Sequence, residues 1–139
     1  IKTLPLRMEQ HQKNTFAIAK WLQKQPRVQY VLYPGLENHP GYEINKAQTT
    51  GFGGMISFAV DSAETARQIL EGVKLIKFAE SLGGTESLIT YPIRQTHTDL
   101  TAEECAEKGI TDCLLRFSTG IEATQDLIDD LAQAFAAVE

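Results

Sequence analysis

Arg116 stands at the centre of Leu114-Leu115-Arg116-Phe117-Ser118, a short and otherwise largely apolar run. Strand alternation sends Leu115 and Phe117 to one face and Leu114 with Arg116 to the other. A guanidinium placed there either reaches solvent or holds an anion. Its planar fork suits a carboxylate, which it meets through two parallel charge-assisted hydrogen bonds. A second segment with chemical potential is Ala79-Glu80-Ser81-Leu82-Gly83-Gly84-Thr85-Glu86-Ser87-Leu88-Ile89. Polar and small residues interrupt a stretch that otherwise reads as sheet, and the paired glycines expose backbone amides that an anion can approach. On spacing alone the segment is a plain hairpin connection.

Other chemistries find less support. Gly51-x-Gly53-Gly54 follows a helix and opens a strand, the reverse of a dinucleotide fingerprint, so these read as turn glycines. His11, His39 and His97 are far apart and sit in no hydrolase or metal-ligand motif, and no metal site is expected. His11, on the inner face of a helix, reads as packing plus a hydrogen bond. Cys105 and Cys113 form no close metal-type pair and read as reduced packing thiols of a cytoplasmic protein.

The elements that must position these residues follow from periodicity. Leu4, Met8, His11, Thr15, Ile18 and Leu22 recur at helical steps, with Thr3 as cap, Pro5 in the first turn and Pro26 as terminator. Val28 to Tyr33 reads as a strand closed by Pro34-Gly35, and 39–50 as a shorter helix. Met55 to Val60 is a strand, and Asp61-Ser62-Ala63-Glu64 opens a helix that ends at Gly72. Lys77 to Leu82 and Glu86 to Tyr91 are candidate strands, followed by a loop from Pro92 to Leu100. Thr101-Ala102-Glu103-Glu104 opens a short helix that stops at Gly109. Leu114 to Ser118 is the last strand, and Leu127, Ile128, Leu131, Phe135 and Val138 mark one face of a closing helix. This order predicts a single α+β domain over 1–139, a small, mainly antiparallel sheet with helices packed on one face.

At 139 residues the chain is long enough for a real core. Its 13 basic against 18 acidic side chains, net -5, argue against a nucleic-acid partner, because phosphate neutralisation needs surplus cations. A small anionic substrate needs only one well-placed cation. No apolar run approaches the roughly 20 residues of a membrane span.

The run Ala79 to Ile89, the loop Tyr91-Pro92-Ile93-Arg94-Gln95-Thr96-His97, and Leu114 to Ser118 continued by Thr119-Gly120-Ile121-Glu122 together resemble successive signatures of one family. These are the pyridoxal-phosphate (PLP) enzymes of cysteine and methionine metabolism, the cystathionine synthases and lyases among them. Lys2 to Glu9, Tyr33-Pro34-Gly35-Leu36 and His39-Pro40 fit in the same order, so the likeness covers essentially the whole chain. It implies the C-terminal, substrate-binding domain of a fold-type I PLP-dependent transferase. In the family the residue matching Arg116 binds the substrate α-carboxylate and the one matching Ser81 helps position it. Residues matching Glu80, Leu82 and Thr96 line or approach the substrate pocket. A fixed carboxylate restrains the substrate's Cα against a cofactor that serves as electron sink.

The resemblance also implies what lies elsewhere. The Schiff-base lysine occupies a Ser-x-Thr-Lys context in a large upstream PLP-binding domain, and none of the eight lysines here has that context. The expectation is therefore roughly the last third of an enzyme, with no catalytic residue and no cofactor ligand of its own. Its expected partners are an amino-acid substrate, the large domain, and other copies in a homotetramer when full length. Glu80 before Ser81-Leu82-Gly83-Gly84 resembles γ-synthases and γ-lyases more than methionine γ-lyases or sulfhydrylases, and Thr90-Tyr91-Pro92 with Gln95-Thr96-His97 is similar to γ-synthase-like members. They imply γ-replacement on an O-acyl-homoserine with cysteine. Elimination by a β- or γ-lyase and a non-catalytic module on the same fold are the alternatives. Ile93-Arg94, Thr98 (a frequent Ala) and Thr119 (usually Val) depart from the family pattern.

Overall fold

Helical spacing of apolar residues becomes helix, and alternation becomes sheet, at nearly every expected place. The computed structural model describes residues 1–138. In chain order it runs α1 (Leu4–Leu22), β1 (Val28–Leu32), α2 (Tyr42–Gln48), β2 (Met55–Val60), α3 (Ala63–Gly72), β3 (Lys77–Phe78) and β4 (Leu88–Thr90). A 3-10 turn (Pro92–Arg94), α4 (Ala102–Glu107), β5 (Leu114–Ser118) and α5 (Thr124–Ala136) complete it. The sheet order is β1-β2-β5-β4-β3, so β5 is central. Every pairing is antiparallel except β3 with β4.

One sheet face is built of cross-strand rows of large apolar side chains. Val31, Phe58 and Leu115 form one row, and Ile56, Phe117 and Ile89 the next. Ile18 and Leu22 of α1, Ala66 and Ile69 of α3, and Leu127 and Leu131 of α5 close over them. Burying each of the larger side chains contributes about 1.5–3 kcal/mol. Trp21 and Phe135 seal one end edge to face, with ring centroids 5.6 Å apart. The other sheet face carries the row Leu32, Ser57, Arg116 and Thr90. No long helix covers it.

The helix caps divide between expectation and correction. Thr101 and Glu104 form a full capping box on α4, which ends before Gly109 at φ +68°. Ser62 caps α3 by accepting from the Thr65 amide, but Thr65 rather than an acid stands at the third helical position, so no box closes. Thr3 does not cap α1. Its hydroxyl instead accepts from the Arg7 guanidinium one turn on.

The larger correction concerns Ala79 to Ile89. β3 stops at Phe78 rather than Leu82, and β4 begins at Leu88 rather than Glu86. The two strands are parallel, with Lys77 opposite Leu88 and Phe78 opposite Ile89, so no hairpin joins them. The entry to β3 explains the direction. The Asp130 carboxylate of α5, 6% exposed, accepts the amides of Lys74, Leu75 and Ile76 at 2.9–3.2 Å, while Ile76 enters the core. β3 therefore sets out from the α5 side in the direction β4 will take. The chain between them must travel back across the end of the sheet. Asp130 is a residue the sequence reading passed over. Asp130→Ala removes the acceptor of three amides and should cost about 3 kcal/mol, whereas Asp130→Asn keeps one oxygen and should cost less than half of that. Urea denaturation of the chain and both variants measures the difference.

Candidate functional site

Arg116 lies on the open face of the central strand, between Ser57 of β2 and Thr90 of β4. Its side chain is half-buried, and its one hydrogen bond is a long one, 3.4 Å from Nη2 to the main-chain carbonyl of Glu80. Among the described residues the ion pairs involve Arg27 and Arg67, and no carboxylate pairs with Arg116. Glu80 turns its carbonyl, not its acid, towards the guanidinium. A cation held on sheet with its donors largely unspent is ready for an external anion.

The groove in front of Arg116 has a volume of about 540 Å³. Tyr30, Leu32, Leu114 and Ile110 give it apolar walls, and Arg116, His97 and Lys108 are its ionisable lining. Among the described residues no Asp or Glu lines it, in a chain that is acidic overall. A ligand with a carboxylate at one end and an aliphatic body fits that combination.

Two loops lie near Arg116, of which the second also lines the groove. The first is 79–87, which follows β5 closely. Glu80 lies beside Arg116, and the Gly83 amide donates to the Ser118 hydroxyl at 3.0 Å, two residues further along the same strand face. Gly83 turns the chain with φ +72°, a conformation that favours glycine. The second loop, after β4, is tied down by the Tyr91 hydroxyl on the Asp112 carbonyl (2.6 Å) and by the Gln95 side chain on the Tyr91 amide (2.7 Å). Burial, with Asp112 nearby, pushes the Tyr91 phenol up, which keeps it protonated as a donor. The Thr96 hydroxyl bonds His97 Nδ1 at 2.7 Å, so Thr96 approaches the groove through the imidazole it orients.

The sequence-derived site residues are thus unevenly gathered. Arg116 and the Glu80 carbonyl meet directly. Ser81 follows Glu80 in the chain and is exposed, with no hydrogen-bond partner among the described residues. Leu82 is 56% exposed and, like Thr96, does not line the groove. His97 and Lys108 were not singled out as groove residues. Their positions depend on how α4 folds back towards β5, which no local pattern announces.

His11 is 2% exposed and bonds the Gly84 carbonyl through Nε2 at 3.0 Å, so that nitrogen carries the proton. Burial lowers its pKa from the ordinary 6.5, reinforced by Arg7 and opposed by the Gly84 bond and Glu122. The folded chain therefore holds His11 neutral. Above pH 6.5 folded and unfolded chains agree in protonation. Below it the unfolded chain binds the proton first, and stability falls until the folded imidazole titrates. Urea midpoints compared at about pH 7.5 and about pH 5.5 should show that fall in the parent, and His11→Gln should lose its share of the slope.

All eight lysines lie exposed.

With this geometry in hand, comparison with known proteins is specific. A family model described as Cys/Met metabolism PLP-dependent enzyme matches residues 1–136. Cystathionine gamma-lyase of Dictyostelium discoideum is 53% identical over 135 residues, which cover 96% of this chain and 35% of that protein. Cystathionine gamma-synthase of Haemophilus influenzae is 50% identical over 136 residues, covering 98% and 32%. Among solved structures, cystathionine gamma synthase from Xanthomonas oryzae pv. oryzae in complex with aminoacrylate and cysteine superposes with a TM-score of 0.93. The identity is 44%, over 96% of this chain and 35% of that one. The chain spans about a third of the length of the curated relatives it matches.

Proposed function

This chain belongs to the Cys/Met metabolism PLP-dependent enzyme family, and from that premise we propose that it is the substrate-carboxylate-binding domain of a longer trans-sulfuration enzyme. The observation that carries the reading is Arg116, an unpaired guanidinium on the open face of the central strand. Its groove is apolar and cationic and has no acid in its lining among the described residues. The α-carboxylate of an amino acid meets the fork of Arg116, and the aliphatic part lies along Tyr30, Leu32 and Leu114. Fixing one substituent of Cα in this way orients the other bonds of that carbon for reaction.

PLP is the family's cofactor, and the residues present here do not by themselves make a site for it. None of the eight lysines has the Ser-x-Thr-Lys context of the family's reactive lysine, and this reading assigns that lysine, the phosphate ligands and the proton-transfer groups to the part of the enzyme beyond this domain. Exposed apolar side chains support a docking partner of that kind. Leu6 is 72% exposed, and Leu4, Met8, Phe78 and Leu82 are also bare. The outward side of α1's apolar stripe is thereby left without a cover.

For the reaction we favour γ-replacement of the acyl group of an O-acyl-homoserine by cysteine. The support is the Thr90 to His97 segment, with 50% identity to a γ-synthase. Elimination is the second reading, favoured by 53% identity to a γ-lyase. Parallel assays of the longer enzyme, with acyl-homoserine plus cysteine and with cystathionine, separate them.

The carboxylate assignment is tested by Arg116→Ala in the longer enzyme. Losing two charge-assisted hydrogen bonds, about 3 kcal/mol, should weaken L-norvaline binding roughly a hundredfold. Binding of butylamine, the same body without the carboxylate, should be unchanged. Titration calorimetry of both ligands measures this. Equal losses for the two, or none for norvaline, would contradict the assignment.

A further inference from the structure

The loop that frames Arg116 makes no strand pairing between Ala79 and Ser87, and its crest is exposed from Glu80 to Gly83. Such a segment holds one shape only if something outside it fixes its backbone. The fixing groups form a connected, largely buried network. The Glu122 carboxylate takes both donors of Ser87, the amide at 2.7 Å on Oε1 and the hydroxyl at 2.8 Å on Oε2. The Ser87 hydroxyl in turn accepts the Gly120 amide at 2.8 Å. Asn14, 0% exposed on α1, donates to the carbonyls of Gly120 (3.1 Å) and Glu122 (2.9 Å). Its oxygen accepts from Gln10 and from Thr124 at the start of α5. Both amide hydrogens and the oxygen of Asn14 are used, which fixes its orientation.

The loop is then tied to this frame at successive points. Ile121 donates to the Thr85 carbonyl at 2.9 Å, His11 to Gly84 at 3.0 Å, and Gly83 to Ser118 at 3.0 Å. Contact runs from residue 87 back to residue 80, where the carbonyl meets Arg116. Gly120 shows how close the fit is, since a Cβ there would strike the Thr85 carbonyl oxygen and the Glu86 backbone.

We infer that Glu122, Asn14 and Ser87 are positioning residues for the carboxylate site. They hold the 80–84 backbone in register with Arg116, and Arg116 with that backbone receives the substrate. The inference rests on the carboxylate reading of Arg116. A carboxylate is required at 122, because the two Ser87 donors point at two separate oxygens, and an amide offers one acceptor oxygen and opposes a donor with a donor. The groups act as a unit, so their effect is expressed through Arg116 rather than added to it.

The test uses the longer enzyme, with L-norvaline and butylamine as probes in titration calorimetry. Glu122→Gln should weaken norvaline binding about tenfold and leave butylamine binding unchanged. Arg116→Ala/Glu122→Gln should bind norvaline no worse than Arg116→Ala alone. If Glu122→Gln does not fold, Ser118→Ala, which removes only the acceptor of the Gly83 amide, should give a several-fold loss with the same selectivity. Equal losses for both probes, or losses that add in the double variant, would show a merely structural network and overturn the inference. An Arg116→Ala enzyme that still distinguishes the two probes would instead overturn the carboxylate reading beneath it.

Discussion

The parallel pairing of β3 with β4 is the constraint on which the rest of this domain turns. Two strands that run the same way cannot be joined by a tight turn, so the nine residues between Phe78 and Leu88 must cross the end of the sheet and return. That crossing brings a stretch of main chain alongside the central strand, next to its single charged residue. Asp130 sets the direction by gathering three amides at the entry to β3. The Asp130 side chain on the closing helix therefore fixes the segment from which β3 sets out.

The two faces of the sheet divide the work. Large side chains in matched rows supply the cohesion on one face, under α1, α3 and α5. The other face, only partly covered, carries Arg116 at its centre among Ser57, Thr90 and Leu32. Rigidity comes from the first, and the proposed carboxylate site lies on the second, separated by the thickness of a single strand. Because Leu115 and Phe117 flank Arg116 and are fully buried, the guanidinium's Cα has little freedom. Precision in its placement is inherited from the core.

Much of this was legible in the sequence. Alternation around Leu115, Arg116 and Phe117 foretold the faces correctly, and α1 and α5 follow from three- and four-residue spacing of apolar side chains. The glycine pair at 83–84 marked an unusual turn. The connection across it was misjudged, because Ala79 to Ile89 carries no local mark of strand direction, and the groups that set direction sit some 50 residues away in sequence. Glu122, Ser87 and Asn14 were missed for the same reason. The one available signal was Asn14, three residues after His11 on the buried stripe of α1, where a polar amide must find partners. The groove wall from Lys108 to Ile110, just after α4, also depends on tertiary approach and left no trace in periodicity.

The most direct test of the carboxylate site is a crystal structure of the longer enzyme with an amino acid bound. The account predicts the α-carboxylate in front of β5, with two parallel bonds from Arg116 of about 2.7–2.9 Å and the 80–84 backbone alongside. A carboxylate held elsewhere, with Arg116 turned to solvent, would contradict it.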